Sequence, residues 1–304
     1  MNKLSWRAIR AFLSVAEYGS FTAAAEHSGF SKANLSQQVS ELEAALGVQL
    51  LYRTTRKLRL TEIGEGYYQR CKLAMQQLDT AAEWASQSKA GIKGSIRINA
   101  VGGVIGEELI APLVIDFQRK YPEVRVHLDF SSVRVDLVEE QYDLVIRMGT
   151  LPDSSLIVRK LHNIKTRYVA SPDFLSTHGP ITKPSDLSLV PLVYGSVDQW
   201  VMTRGKAQQV VQANQGIKLV SGRAMHLASL AGLGVTRLAD VYVQADIAGN
   251  RLVEILPGWS ESTILSMVCP PLKHQLIRVR SLMEWLKERF PNAYQLLLEN
   301  GPAG

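Results

Sequence analysis

The stretch SGFSKANLSQQVSELEAALG, residues 28–47, contains a glycine turn followed by a helical pattern of unusual composition. Its large apolar residues, Leu35, Val39, Leu42 and Leu46, fall on one side of a helix and predict one buried stripe. The front half carries amides, hydroxyls and one lysine, although alanine or glutamate would stabilise a helix better than asparagine or serine. These groups form either an ordinary solvated face or a surface that contacts a partner.

Two shorter helices are predicted upstream of this segment. Apolar residues at i, i+3, i+4 and i+7 from Ile9 predict a first helix that ends at Gly19. Ser20 is the predicted N-cap of a second, alanine-rich helix, which stops at Gly29, and Ser31 is the predicted N-cap of the third. The order helix, helix, tight turn, helix is typical of a helix-turn-helix.

A basic hairpin is predicted directly after the third helix. The segment LLYRTTRKLRLT has two short apolar and polar runs around TTRK, and no acidic residue lies between Glu43 and Glu62. Its cluster of arginines and lysine is suited to phosphate contact, while amides, lysine and serine on a helix can read base edges in the major groove. A solvated helix and a basic loop would explain each feature alone, but their combination favours DNA binding. The candidate DNA-binding residues are Ser31, Lys32, Ala33, Asn34, Ser36, Gln37, Gln38, Arg53, Arg56 and Lys57.

A longer helix is predicted to run to about residue 88, with Thr61 as its predicted N-cap. Its small and apolar residues recur every three or four positions: Ile63, Tyr67, Cys71, Ala74, Leu78, Ala81 and Ala85. This narrow, heptad-like seam is typical of a helix that packs along another helix. The glycine- and lysine-rich stretch SKAGIKGS, residues 88–95, predicts a linker and the main domain boundary.

The rest of the chain alternates predicted strands and helices. Strands are predicted in SIRINAVGG, VRVHLDFSS and YDLVIRMG, with helices in EELIAPLVIDFQRKYP and RVDLVEEQ between them. The alternation restarts after about residue 165 with TRYVAS, PLVYGS, IKLVSGR, AMHLASLAGLG and VTRLA, and ends with the strand TILSMVCP and the helix QLIRVRSLMEWLKERF. This pattern predicts a mostly parallel sheet in two α/β halves that face each other across a cleft.

Two strand-turn-helix segments are candidates for a ligand site in that cleft. NAVGGVIGEELI offers backbone N–H groups at a helix start, which suit an anion, although Val101 stands where a dinucleotide-binding fingerprint needs its first glycine. LVSGRAMHL repeats the form in the second half. Two such turns across a cleft suit a small molecule, while a plain tight turn is the alternative for each.

Residues 12–64, FLSVAEYGSFTAAAEHSGFSKANLSQQVSELEAALGVQLLYRTTRKLRLTEIG, resemble the LysR-type transcriptional regulators. GSIRINA, YPEVRVHL, DLVEEQYDLVIRMG and LAGLGV resemble the effector-binding domain of that family. The resemblance implies an α/β protein overall, with a winged helix-turn-helix (1–60), a dimerising linker helix and hinge (61–93) and a two-lobed domain like periplasmic binding proteins (94–304). It places lobe I at about 94–165 and 269–304 and lobe II at about 166–268.

The resemblance also implies a sequence-specific regulator that acts as a homodimer or homotetramer on operator DNA, with RNA polymerase as a further candidate partner. A small-molecule effector is expected between the lobes, near Ala100, Val101, Gly102, Gly103, Val104, Ser131, Ser132, Arg147, Gly149, Tyr194, Ser196, Ser221 and Arg223. Arg147 or Arg223 could hold a carboxylate or an aromatic acid through paired N–H bonds. A surface or interface role is the alternative for either arginine.

The chain departs from the family pattern at three places. Lys32, Ala33 and Asn34 stand where the family usually has Gln, Pro and Ala, so its base preference does not transfer directly. Ser28 replaces a usual leucine in the second helix. TRLAD, residues 236–240, stands where the family often has LLP.

Composition and motif content narrow the function classes. The 304 residues carry a net charge of +6 and 46% hydrophobic residues, which describes an ordinary globular protein with a weak preference for polyanions. The sequence contains no CxxC, HExxH or Gly-x-Ser-x-Gly motif, so we expect no metal, no cofactor and no enzyme activity. Cys71 and Cys269 are expected to be buried structural thiols, with a redox sensor as the alternative. The N-terminal residues do not resemble an export signal, which favours the cytoplasm over a solute-binding role outside it.

Overall fold

The structure, a computed structural model, describes residues 5–53, 58–86, 91–131, 142–149, 155–259 and 262–302. The chain divides into two compact units, Met1–Ala85 and Ser86–Gly304. We refer to them as the N-terminal unit and the C-terminal unit. In the described part of the chain, no helix is both long and apolar enough to cross a membrane.

The N-terminal unit contains the predicted helices and hairpin. Its elements are α1 (Trp6–Tyr18), α2 (Phe21–Ser28), α3 (Lys32–Leu46), β1 (Leu51–Arg53), β2 (Leu58–Leu60) and α4 (Glu62–Ser86). The three predicted serine and threonine caps are confirmed, since Ser20 Oγ, Ser31 Oγ and Thr61 Oγ1 accept hydrogen bonds from backbone N–H groups three residues later, at 3.0, 3.2 and 2.9 Å. Gly29 follows α2 with a φ of 70°, a conformation that costs glycine little.

The apolar faces of α1, α2 and α3 meet in one core. This core includes Phe12 from α1, Ala24 from α2, and Leu35 and Val39 from α3, each with no exposed surface. The strands β1 and β2 form the predicted antiparallel hairpin, with Leu51 opposite Leu60. Packing of its buried face in this core therefore stabilises α3, although its polar front half has a low helix propensity.

The C-terminal unit is built on one nine-stranded sheet. Its sheet strands are β3 (Gly94–Ala100), β4 (Val124–Phe130), β5 (Leu144–Met148), β6 (Ile157–Ala170), β7 (Leu192–Tyr194), β10 (Gly216–Lys218), β11 (Val235–Ala239), β12 (Val253–Glu254) and β13 (Ser262–Cys269). Two more strands, β8 (Gln199–Arg204) and β9 (Ala207–Gln212), form a separate hairpin.

Helices cover this sheet. They are α5 (Ala111–Lys120), α6 (Pro172–His178), α7 (Gly222–Leu230), α8 (Asp240–Ala248), α9 (Pro271–His274) and α10 (Ile277–Asn300). A π-helical turn, Ile105–Ile110, leads directly into α5, and a 3-10 helix spans Pro184–Leu189.

The sheet is mixed, whereas the sequence pattern predicted a mostly parallel one. Strand order is β10-β7-β11-β6-β13-β5-β3-β4, and β12 also pairs with β6. The two ends are parallel, but the central strands β6 and β13 are antiparallel to each other and to their other neighbours. The two α/β halves are therefore joined through long central strands rather than lying side by side as independent sheets.

Several elements of the C-terminal unit were predicted only in part or not at all. Strand β6 begins at Ile157, nine residues before the predicted strand TRYVAS, and the β8–β9 hairpin and α8 had no predicted counterpart. The predicted helix RVDLVEEQ lies outside the described residues. The predicted limits of the two lobes stay a prediction. Strand β13 pairs with β5 from Leu265 to Val268, next to the predicted limit at residue 269.

Candidate DNA-binding face and effector cleft

The outward face of α3 presents polar groups at its N-terminal end. Lys32, Ala33 and Gln37 are exposed, Ser36 and Gln38 are half-buried, and Leu35 on the opposite face is fully buried. Ser31 is exposed as well, but its hydroxyl is already used as the N-cap. The predicted division into a buried stripe and a polar face is therefore present in the structure.

Asn34 is oriented differently from the other candidates on α3. Its Oδ1 atom is buried and has no hydrogen-bond partner within the described residues. A buried, unpaired amide oxygen costs free energy, because it has lost its bond to water. The side chain of Asn34 therefore does not point wholly outward, unlike that of Gln37.

A carboxylate holds both glutamines of α3. Gln37 donates from Nε2 to Glu41 Oε1 at 2.9 Å, and Gln38 donates from Nε2 to Glu41 Oε2 at 3.1 Å. All three side chains lie on the same helix within one turn, as i,i+3 and i,i+4 neighbours. Glu41 was not among the predicted site residues.

The hairpin is tied to α3 by a second glutamate. Glu43 Oε1 accepts hydrogen bonds from the backbone N–H groups of Leu50 at 2.8 Å and Leu51 at 3.1 Å. These leucines are buried at the start of the hairpin, and Arg53 follows in β1. Arg56 and Lys57 lie outside the described residues. The contact fixes the position of the basic hairpin relative to the helix that precedes it.

The first predicted effector turn lies at the end of β3. Three of its N–H groups already have partners: Val101 donates to Ile146 O at 3.1 Å, Gly103 to Glu107 Oε1 at 3.1 Å and Val104 to the Tyr242 hydroxyl at 3.0 Å. An anion at these N–H groups therefore has to displace a protein acceptor.

Tyr242, on α8, lies between the two glycine turns. A Cβ added at Gly103 would be 2.3 Å from the Tyr242 oxygen, and one added at Gly222 would be 2.7 Å from it. Both turns therefore need glycine beside this ring. Burial raises the pKa of Tyr242, so its hydroxyl stays protonated while it accepts from Val104.

Arg223 connects the second turn to the helix after the first. Its guanidinium forms an ion pair with Glu108, and its Nε lies 3.7 Å from Glu107 Oε2. The Glu108 side chain is 16% exposed and that of Arg223 38%, so water only partly screens the pair. The two predicted turns therefore face each other and are linked by this ion pair and by Tyr242.

Most of the other predicted effector residues form hydrogen bonds with neighbouring strands or helix ends. Arg147 donates to the Asn99 side chain on β3 and to Ile146 O, and Ser131 donates from its backbone N–H to Ala100 O at 3.0 Å. Gly149 N donates to Ile264 O at 3.0 Å, and Tyr194 O accepts from Leu219 N at 2.8 Å. Ser221 is the N-cap of α7 and Ser196 is exposed. Gly102 continues the first turn, and Ser132 lies outside the described residues.

Cys269 is buried and Cys71 is half-buried. Burial raises the pKa of Cys269 to about 12, and it also raises the pKa of Cys71. The thiolate needed for redox reactions is therefore disfavoured at both positions. Over the ranges that the structure covers, no group of three His, Cys, Asp or Glu side chains is placed to hold a metal ion.

Family models match both units of the chain. Residues 6–65 match the bacterial regulatory helix-turn-helix protein, lysR family, and residues 89–291 match the LysR substrate binding domain. The chain belongs to the LysR-type transcriptional regulators. The predicted family and fold are thereby confirmed, with a DNA-binding helix-turn-helix domain followed by an effector-binding domain.

Curated and solved relatives extend over nearly the whole chain. An HTH-type transcriptional repressor from Pseudomonas aeruginosa is 34% identical over 297 residues, covering 95% of this chain and 93% of that protein. The HTH-type transcriptional regulator CrgA from Neisseria meningitidis is 32% identical over 288 residues, covering 92% and 95%. The full-length structure of the Vibrio cholerae virulence activator AphB has a TM-score of 0.63 and 28% identity, covering 94% and 99%.

Two departures from the LysR pattern have local consequences in the structure. Ser28 Oγ is buried and finds no hydrogen-bond partner in the described ranges. Asp240, in TRLAD, begins α8 and accepts bonds from Val241 N at 3.0 Å and from the Tyr294 hydroxyl on α10. Burial raises the pKa of Tyr294, which keeps its phenol neutral as the donor. The aspartate therefore attaches the start of α8 to the C-terminal helix.

Sequence reasoning missed Glu41, Glu107, Glu108 and Tyr242. Glu107 and Glu108 belong to the quoted segment NAVGGVIGEELI, and their position one turn after the glycines was a usable signal. Tyr242 had no such signal, because α8 was not predicted. LysR membership identifies the two domains, whereas these four side chains are features of this chain's own structure.

Proposed function

We propose that this LysR-type regulator reads its operator with the N-terminal end of α3 in the major groove. The observation that carries the proposal is the exposed set Lys32, Ala33 and Gln37 on a helix whose other face is locked into the core by Leu35 and Val39. Lysine suits guanine and glutamine suits adenine in this groove. Ser36 and Gln38 lie at the margin of the same surface.

The basic hairpin supplies phosphate contacts in this proposal. Arg53, Arg56 and Lys57 are the predicted contacts, and the exposed Arg59 of β2 adds a fourth positive charge. The Glu43 bonds to Leu50 and Leu51 support the assignment, because they tie the start of the hairpin to α3. Phosphate contacts release condensed counterions, so DNA affinity is expected to fall steeply as salt is raised.

A second copy of the chain is the proposed partner of α4. Ile63 and Leu78, two members of the predicted seam, are 57% and 52% exposed. Apolar side chains at this spacing are normally covered by another helix. The homodimer or homotetramer places two α3 helices on one operator, and Leu78→Asp should shift the assembly towards monomer in sedimentation.

A small carboxylate or aromatic acid is the proposed effector. Arg223 supports this assignment more strongly than Arg147, because its guanidinium lies on the turn facing Val101–Val104 and is partly exposed. An incoming carboxylate replaces Glu108 on Arg223, so binding alters the link between the two turns. The regulator then responds by population shift, with effector-bound and effector-free forms differing in the separation of their DNA-binding domains.

The protein acts in the cytoplasm and carries out no chemical step in this proposal, with RNA polymerase as a further partner. Support comes from its relatives, which are named transcriptional regulators. DNA binding requires access to the chromosome, and the sequence contains no HExxH or Gly-x-Ser-x-Gly motif of the kind that marks a catalytic site.

Selection of bound DNA from fragmented genomic DNA tests the proposal directly. Wild-type protein should enrich a small set of sites, and Lys32→Ala should relax base choice with little change in thermal unfolding. Glu17→Ala, a change at an exposed residue of α1, is the matched control. Equal enrichment of all fragments by the wild type, or a salt-independent affinity, would refute the proposed reading of DNA.

A further inference from the structure

Glu41 occupies the hydrogen-bond donors of both glutamines at the front of α3. The distances are 2.9 Å to Gln37 Nε2 and 3.1 Å to Gln38 Nε2, and each glutamine uses a different oxygen of the carboxylate. Glu41 is itself exposed, as is Gln37, so this small network lies on the surface rather than in the core. The network therefore does not form part of the buried core of the N-terminal unit.

The chemistry of the three groups fixes which atoms face Glu41. An ionised carboxylate only accepts hydrogen bonds, whereas a glutamine amide has two N–H donors and one carbonyl acceptor. Each amide nitrogen must therefore lie towards Glu41, and each carbonyl oxygen is turned away from it. Without this contact, the side-chain amide of a glutamine could rotate by half a turn, which exchanges the positions of its nitrogen and its oxygen.

The bases differ in the group that they show at the same place in the major groove. Adenine and cytosine carry an exocyclic amino group, which donates, while guanine and thymine carry a carbonyl oxygen, which accepts. A glutamine fixed with its carbonyl oxygen outward matches the amino bases. The negative charge of Glu41 also repels the carbonyl oxygens of guanine and thymine.

We propose that Glu41 is a specificity-determining positioning residue, which orients Gln37 and Gln38 so that they select adenine or cytosine over guanine or thymine. This inference rests on the proposed use of the α3 N-terminus for DNA reading. Glu41 acts through the two amides, and it sets the choice between amino and keto bases rather than the overall strength of binding.

The test is selection from a randomised DNA library with the full-length protein and three variants: Glu41→Ala, Glu41→Gln and Glu17→Ala. Wild type should prefer adenine or cytosine at the positions read by the glutamines by about tenfold. Glu41→Ala should reduce that preference to about twofold, and Glu41→Gln, which has one acceptor oxygen, should fall between them. Glu17→Ala removes the same charge from an exposed site on α1 and should keep the wild-type preference.

The outcomes separate this inference from the proposed function. An unchanged preference in Glu41→Ala, together with a clear wild-type motif, overturns the role of Glu41 and leaves DNA reading by α3 intact. A wild-type protein without any motif overturns the reading by α3 itself. A uniform gain in affinity for all sequences, equal in Glu41→Ala and Glu17→Ala, shows a charge effect only and also overturns the role of Glu41. Thermal unfolding of each variant checks that the fold is retained.

Discussion

Removal of the Glu43 side chain should loosen the hairpin from α3. In the native structure one carboxylate oxygen accepts from two neighbouring N–H groups, those of Leu50 and Leu51, at 2.8 and 3.1 Å. These leucines are 0% and 1% exposed, so water does not readily replace the lost acceptor. Glu43→Ala therefore leaves two donors without the partner that the fold provides.

The expected cost follows from these two bonds. A hydrogen bond to a charged group contributes roughly 1.5–3 kcal/mol to stability. Loss of both should lower the free energy of unfolding of the N-terminal unit by about 3–6 kcal/mol, a large share of the ~5–15 kcal/mol typical of a domain. Glu43→Gln keeps an acceptor oxygen but not the charge, so we expect about half of that loss.

Hydrogen exchange measured by mass spectrometry locates the effect. Peptides that contain Leu50 and Leu51 should lose protection in Glu43→Ala, while peptides of the C-terminal unit keep theirs. DNA affinity should fall for all sequences alike, because the hairpin's phosphate contacts carry no base preference. Wild-type protection and an unchanged urea midpoint in Glu43→Ala would show that these bonds do not hold the hairpin. Glu17→Ala serves as the control for loss of an acidic side chain.

Three further predictions test other parts of the structure. Gly64→Ala should destabilise the N-terminal unit by about 2 kcal/mol, since the new Cβ would lie 2.0 Å from a backbone oxygen next to β1. In Gly66→Ala the new Cβ meets only the flexible end of the Arg70 side chain, so this variant should lose less stability. Equal urea midpoints for the two variants would contradict the close approach of Gly64 to the Leu50 backbone. Glu108→Gln should weaken the ion pair with Arg223 and lower the free energy of unfolding of the C-terminal unit by about 1 kcal/mol. Calorimetry should show this loss as a lower melting temperature. An unchanged melting temperature would argue against a stabilising role of the ion pair. Because burial raises the pKa of Cys269 to about 12, its thiol should resist alkylation by iodoacetamide at pH 8 in the native protein and react after unfolding. Rapid alkylation of the native protein would contradict its burial.

The N-terminal unit could be predicted from sequence because its signals are local. Ser20, Ser31 and Thr61 cap the helices that follow them, and each bond spans three residues. The buried stripe of α3 follows directly from helical spacing. The same local patterns distinguish the buried and exposed sides of α3 without knowledge of its neighbours.

The missed elements of the C-terminal unit lack such local signals. Four consecutive residues at the start of α8, 240–243, are buried, so the helix shows no amphipathic period. The first half of β6 contains Arg159, Lys160 and His162. Because central strands are usually rich in apolar residues, this charged stretch does not predict one. Its position in the sheet depends on pairing with β13, about a hundred residues later in the chain.

By itself, the sequence determined the helix-turn-helix, the basic hairpin, the domain order and the polar face that α3 presents. Only the tertiary structure decided how that face and the effector turns are arranged. Glu41 turns Gln37 and Gln38 through hydrogen bonds whose direction depends on side-chain conformation. Arg223 meets Glu108 over a separation of 115 residues. Helical and strand periods describe neighbours along the chain, whereas contacts at such separations depend on how the sheet brings distant turns together.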